Sequence, residues 1–210
     1  MAKMIDLFTF SGRLGDMVGC MGPSGFYVRS RPRKSTKPPT IRQLETRARM
    51  ALVAKFLNPI RELISLGFAS QQDRRSKAGA FGRATAHALR KAVAGTYPDL
   101  SIDPGEVLLS RGGLAGLGKP ALAVAEPSLT VTWVPYTDRM RAFADDTVYA
   151  VAYHADAGAL ATGIATRGSG TVNIDISGER AGSELLVYVC VAERDHREFS
   201  NSQFLGIAYT

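Results

Sequence analysis

The chain has 210 residues, of which 45% are apolar and 21% charged, and a net charge of +7. That length is enough to bury one large or two small cores, and no uncharged apolar run approaches the ~20 residues a membrane-spanning helix needs. Two cysteines at opposite ends, Cys20 and Cys190, are too few for a disulfide framework and lack the paired spacing of a zinc site, so both read as free thiols.

The charge is unevenly placed. Residues 1–100 hold 18 Lys and Arg against 6 Asp and Glu, whereas residues 101–210 hold 8 against 13. A basic surface concentrates polyanions or acidic protein patches and an acidic one repels them, so the two halves are expected to meet different partners. Met17-Val18-Gly19-Cys20 loosely matches a lipoprotein cleavage box, but Asp6, Arg13 and Asp16 interrupt the apolar stretch that should precede it, and Cys20 is read as unlipidated.

In chain order, Ile5–Phe10 and Phe26–Val28 flank glycines at 12, 15, 19, 22 and 25, which predicts a β-hairpin. A glycine-rich anion cradle would instead open a helix, and none follows. Arg29 to Pro39 mixes prolines with like charges, which oppose both helix and packed strand, so it is expected as an extended, exposed basic arm. Thr40 then starts a helix, with Gln43 completing a capping box. Leu44, Ala48, Ala51, Leu52, Phe56, Ile60, Leu63 and Ile64 form its apolar stripe, and Pro59 predicts a kink or break near residues 57–58. A second helix is expected from about Ser76 to Val93, with Phe81, Ala84, Ala88, Leu89 and Ala92 inward and Gly95 ending it.

From about residue 105 the pattern changes to short alternating runs separated by turns, as in an all-β sandwich. The expected strands are 107–110, 121–125, 128–134, 147–154, 160–166, 171–176, 184–193 and 202–209. Leu129, Val131 and Trp133 share one face of their strand, which makes Trp133 a core residue. Glu184 to Glu193 is apolar on both faces and reads as a central strand. The fold class expected is therefore α+β: an N-terminal hairpin, basic arm and two helices over residues 1–104, a hinge at 105–117, and a sandwich over 118–210.

Leu129-Thr130-Val131-Thr132-Trp133 with Pro135, then Tyr149 and Tyr153, then Tyr188-x-Cys190-x-Ala192, resembles a fibronectin type III or related immunoglobulin-like module over roughly residues 118–210. That resemblance implies an antiparallel β-sandwich with Trp133 packed between its sheets; Cys190 stands where a valine is commoner. The whole chain is also similar to a family of uncharacterised proteins, mostly from Bacteroidetes bacteria, on Arg29-Ser30-Arg31-Pro32, on Gln43 to Pro59 with Arg47, Arg49, Lys55 and Phe56, on Gly95-Thr96-Tyr97-Pro98 and on Leu109-Ser110-Arg111-Gly112. This likeness implies an intact, unprocessed bacterial or prophage-encoded protein and brings no activity with it.

Catalytic signatures are weak. Gly113 to Lys119 fits the first seven places of a phosphate-binding loop, but Pro120 cannot supply the metal-binding hydroxyl and a strand follows where a helix is required. His154 with Asp156, and Asp195 with His196, fall at strand ends and read as solvated loop residues, and His87 reads as a helix-face residue. No catalytic residue, metal site or cofactor is therefore expected.

The strongest functional signal is basic: Arg29, Arg31, Arg33, Lys34, Lys37, Arg42, Arg47 and Arg49. Arg outnumbers Lys 12 to 6 in the first hundred residues, and the guanidinium fork suits carboxylate or phosphate. Phe26 and Tyr27 stand just before the arm, so the segment could add as a strand to another surface. The function expected is that of a non-enzymatic assembly protein of a virion, phage-tail-like or cell-surface structure, docking on protein partners or its own copies. The alternative is a sequence-nonspecific nucleic-acid-binding module whose basic residues meet phosphates, against which stands the lack of a helix-turn-helix, RNP or zinc motif. A glycan-binding sandwich is the weaker third, since the single Trp is assigned to the core. The localisation expected is cytoplasmic or on such an assembly, with no clear signal peptide.

Overall fold

The computed structural model describes residues 3–6, 9–22, 24–33, 36–71, 78–125, 127–138, 140–155, 157–180 and 182–210. It is an α+β protein of mainly antiparallel sheet. Its contacts divide the chain into two compact units, Met1–Thr40 and Ile41–Thr210.

In the first unit, β1 (Lys3–Asp6), β2 (Thr9–Leu14), β3 (Met17–Gly22) and β4 (Gly25–Ser30) pair in sequence order as an antiparallel sheet of four strands, where the sequence suggested a two-stranded hairpin. The additional central strand is Met17–Gly22, whose glycines read locally as turn residues. Gly19 belongs in the strand for a steric reason: a Cβ there would collide with the Phe10 carbonyl oxygen and meet the Phe10 ring at 2.8 Å. Arg29 and Ser30, expected to begin the basic arm, are the last residues of β4. The described residues after it, 31–33 and 36–40, are exposed and carry no helix or strand.

The second unit opens with α1 (Ile41–Leu57), starting just after Thr40 as the sequence predicts. Proline at 59 cannot donate the main-chain bond a continuing helix needs, and the chain restarts as α2 (Arg61–Gly67). With α3 (Ala80–Lys91) the α-helices among the described residues number three. Ser76, the expected start of that last helix, lies outside the described residues. Val53, Phe56, Leu57, Ile60, Ile64 and Phe68 pack with Ala84, Ala88 and Ala92, small residues that let α3 come close. Val53 and Leu57 take the buried positions that the sequence stripe gave to Ala51, which is exposed. Gly95 does not end α3: it lies in a hairpin of β5 (Val93–Thr96) and β6 (Asp99–Ile102), at a positive φ of 84° where a Cβ would collide with the Asp99 carbonyl oxygen.

Seven further strands are described in this unit: β7 (Gly118–Ala125), β8 (Ser128–Val134), β9 (Thr147–His154), β10 (Ala159–Thr166), β11 (Thr171–Asp175), β12 (Glu184–Ala192) and β13 (Gln203–Tyr209). They form two sheets, ordered β10-β9-β12-β13 and β11-β8-β7. Period-2 alternation decides what each face meets. On β9 and β12, Val148, Ala150, Ala152, Leu185, Val187, Val189 and Val191 share a core with Leu129, Val131, Trp133, Val172 and Ile174 of the three-stranded sheet. On their opposite face, Tyr153, Leu186 and Tyr188 share the core of the helices. The helices thus form a third layer, which is why β12 is apolar on both sides.

Residues 107–110, expected as a strand, form none, and the stretch expected as a hinge is strapped down. Val107 and Leu109 are buried, and Gly67 at the end of α2 approaches so closely that a Cβ would meet the Leu109 carbonyl oxygen at 2.6 Å. Leu109 N donates to Ser202 Oγ at 2.8 Å, Ser110 Oγ to the Ser200 carbonyl at 2.8 Å, and Leu117 N to Gln203 Oε1 at 2.8 Å. No helix among the described residues is long and apolar enough to cross a membrane.

Candidate interaction surface

The basic residues are divided between the two units. Within the first, the strand register places Arg13, Val18 and Arg29 in one cross-strand row, so two arginines stand on the same face of the sheet. Arg31 and Arg33, with Asp16, Ser30 and Pro32, line a depression of about 400 Å³, and Arg31 N donates to the Asp16 carbonyl at 2.7 Å. Lys37 is exposed, and Lys34 lies outside the described residues.

Within the second unit, Arg42, Arg47 and Arg49 project from the first three turns of α1 and line a depression of about 540 Å³ with Gln43, Glu45 and Thr46. At about 100° per residue, Arg42 and Arg49 stand on one side of the helix and Arg47 about 140° round from Arg42. Arg49 Nε lies 3.3 Å from the Glu45 carboxylate on a half-exposed surface, an i,i+4 pair of about 0.3–0.5 kcal/mol. The helical group is therefore part basic and part paired. Such guanidinium surfaces recognise carboxylates or phosphates; they supply no proton transfer at neutral pH.

Phe26 and Tyr27 lie in β4, the last strand of the sheet. They are already paired to β3, where adjacent residues point to opposite faces. The register gathers Leu14, Met17, Met21, Phe26 and Val28 on one face and Arg13, Val18, Cys20, Tyr27 and Arg29 on the other, and Phe10 joins the first through its ring contact with Phe26. The Phe10 and Phe26 rings meet edge to face at 5.8 Å. Leu14, Met17 and Met21 are 54%, 51% and 64% exposed, and Gly19 is the only buried residue among those whose burial is described in the first forty.

The chemically richer side chains are largely committed to each other. Asp145, Asp146, Glu193, Arg194 and Asp195 line, with Phe143, a cavity of about 270 Å³. Arg194 lies 3.3 Å from Asp145 and 3.8 Å from Asp195. Asp146 is fully buried, taking Arg167 Nε at 3.0 Å and the Phe143 N–H at 2.9 Å. Arg167 also donates from Nη2 to the Ala115 carbonyl and from Nη1 to the Gly116 carbonyl, while its own carbonyl accepts Trp133 Nε1 at 2.8 Å. His196 Nε2 lies 2.7 Å from the Tyr149 hydroxyl, whose pKa burial raises, with Cys190 adding to the shift. His154 Nδ1 accepts the Ala157 N–H at 3.1 Å, and its sequence neighbour Asp156 lies outside the described residues. Burial pushes the Cys190 thiol up to about 11, so it is a packed thiol and no nucleophile at neutral pH. Lys119 lies within β7, so the glycine stretch before it does not open a helix. Among the described residues no group of three or more His, Cys, Asp or Glu could hold a metal ion.

Two features escape sequence reading. Arg167 precedes Gly-Ser-Gly in a connection, where arginine is ordinarily solvated, and only the distant Asp146 and the segment at 115–116 make its burial possible. The apolar face of the first unit was hidden because its central strand contains two glycines; the signal present was Met17 and Met21 in phase with Gly19. Comparison with the curated proteins gives no match. The model of one family does match, across residues 9–206 and so through both units and all the basic positions, and the chain belongs to that family of unknown function (DUF6266).

Proposed function

We propose that the chain is a non-enzymatic subunit of a larger assembly, of the virion, phage-tail-like or cell-surface kind, whose first forty residues dock on neighbouring protein. The observation that carries this reading is the exposed apolar side chains on the sheet of the first unit. Folded layers are stable when an apolar face is buried against another layer, and a piece of about forty residues rarely supplies a core of its own. Here Leu14, Met17 and Met21 remain more than half exposed. The remaining chemistry supports a binding role, since the buried charges of Arg167 and Asp146 are spent on each other and on main-chain carbonyls.

We read β7–β13 as a fibronectin type III or immunoglobulin-like sandwich within that subunit. Supporting this are the partition of first, second and fifth strands into one sheet and third, fourth, sixth and seventh into the other, and the burial of Trp133 between them. A free module of this kind keeps its outer faces polar; this one carries helices on its four-stranded sheet.

Nucleic-acid binding is the second reading, favoured by seven Lys and Arg against two Asp in the first forty residues. Light scattering of the whole chain in low and moderate salt, alone and with duplex DNA, separates the two. A discrete oligomer indifferent to DNA is expected. A monomer that binds DNA with a steep inverse dependence on salt would replace the assembly reading with the second one.

A further inference from the structure

We infer that the apolar face of the sheet β1–β4 is where two copies of this chain pair, face to face, as a two-layer sandwich. The inference rests on the assembly reading and names its first partner. Phe10, Leu14, Met17, Met21, Phe26 and Val28 stand on this face, interleaved only with Gly12, Gly19 and Ser30. No charged side chain interrupts it within β2, β3 or β4.

Charge selects the occupant. The chain is basic, and a partner recognised by charge would be met by the opposite face, which carries Arg13 and Arg29. The apolar face offers nothing to a charged group and would strand it without water. A second copy of the same face introduces no such group. Stacked sheets lie about 10 Å apart, which leaves both arginine-bearing faces outermost and separated by more than the ~8–10 Å over which salt screens charge. Two-fold pairing also requires that a patch match itself, and flexible methionines adapt to that requirement more readily than branched side chains.

The size is sufficient. Three strands of six residues and one of four, spaced about 4.8 Å apart at about 3.3 Å per residue, present a face of roughly 18 by 20 Å. Stacking two such faces removes on the order of 1,000 Å² of accessible surface, the lower limit for a specific interface. Pairing would also bury the exposed Leu14, Met17 and Met21 of each sheet against a second layer.

Sedimentation of the whole chain across a concentration series at moderate salt, where contacts of exposed charges are screened, provides the test. A monomer–dimer equilibrium is expected, with Met21→Lys and Leu14→Lys each raising the dissociation constant at least about tenfold, since each would bury a lysine without a partner. Both positions are exposed in the single chain, so these variants should fold, and an unchanged far-ultraviolet circular dichroism spectrum checks it. Distances between nitroxide labels, in a Cys20→Ser background, give the orientation: a label at Met21→Cys should lie much closer to its copy than one at Arg13→Cys. The opposite order overturns face-to-face pairing. A dimer indifferent to both lysine substitutions overturns it too, and leaves the assembly reading standing. A monomer at every concentration in low and moderate salt removes both. If that monomer binds vesicles of phosphatidylcholine and phosphatidylglycerol, and Met21→Lys abolishes the binding, the face meets lipid and the pairing is likewise overturned.

Discussion

Tyr153 of β9 donates its hydroxyl to the main-chain carbonyl of Phe56 in α1 at 2.9 Å, and the two rings meet edge to face at 5.3 Å. One residue pair thereby joins the helical layer to the four-stranded sheet by a polar and an apolar contact together. On the neighbouring strand β12, Leu186 lies opposite Tyr153, and Tyr188 two residues further on donates in the same way to the Pro104 carbonyl at 2.9 Å.

This relationship fixes where the chain can be cut. A fragment of residues 118–210 would leave Tyr153, Leu186 and Tyr188 uncovered, each worth about 1.5–3 kcal/mol of burial. It should be insoluble or should bind a hydrophobic dye without a cooperative melt. A fragment of residues 41–210 keeps the helices and should unfold in a single transition followed by circular dichroism and by Trp133 fluorescence alike. A soluble, cooperatively folded 118–210 would show that the helices are dispensable.

The buried pair of Arg167 and Asp146 should behave asymmetrically. Asp146→Ala leaves a buried guanidinium without its counter-charge and should cost about 3–5 kcal/mol in urea unfolding. Adding Arg167→Met should recover only part of this, because the carbonyls of Ala115 and Gly116 then lose their donors. Trp133→Ala should also cost about 3–5 kcal/mol, by opening a cavity between the sheets. A loss under about 1 kcal/mol for Asp146→Ala would mean that water reaches Arg167.

Legibility in the sequence followed how local each cause is. Ser128–Val134 and Thr147–His154 were readable to the residue because strand alternation is written in adjacent positions. The two-sided burial of Glu184–Ala192 was readable too, but not its reason, since the helices that cover one side lie about a hundred residues earlier. Gly19 and Gly95 each stood in a strand where local reading expected a turn or a helix end. Their presence answers to Phe10 and to the Asp99 carbonyl, contacts that appear only on folding. Of the basic positions, the sequence supplied the residue types, and the fold set Arg29 on a strand and Arg42, Arg47 and Arg49 on a helix.

His87 on α3 gives the protein a pH dependence. Its pKa is lowered from 6.5 by burial first and then by Arg111, Arg90 and Lys91, with Glu106 opposing, and its buried Nδ1 has no hydrogen-bond partner among the described residues. A lowered folded value means that the unfolded chain binds the proton more readily. Stability therefore should be full above about pH 6.5 and fall as the pH drops through 6.5 toward the lower folded value. His87→Gln should flatten the melting temperature between about pH 7 and pH 5 relative to the unaltered chain; an unchanged slope would assign the acid sensitivity to other groups.

At Arg29, Arg31 and Arg33 protein docking and phosphate neutralisation part company. A diffuse polyanion responds chiefly to charge, so replacing all three with Lys would leave affinity for duplex DNA mostly intact. Docking on carboxylates of a neighbouring subunit uses the planar two-donor fork, which Lys cannot reproduce. Arg31 and Arg33 line a depression with Asp16, so they already stand beside one acidic residue of their own unit. The triple Arg→Lys change should weaken assembly at least about tenfold by light scattering. Net charge is unaltered, so this loss cannot come from electrostatic steering. Assembly that survives the triple change but is lost on replacing the same residues with Gln would show that charge alone is being read, and the forked-contact account of these arginines would fall.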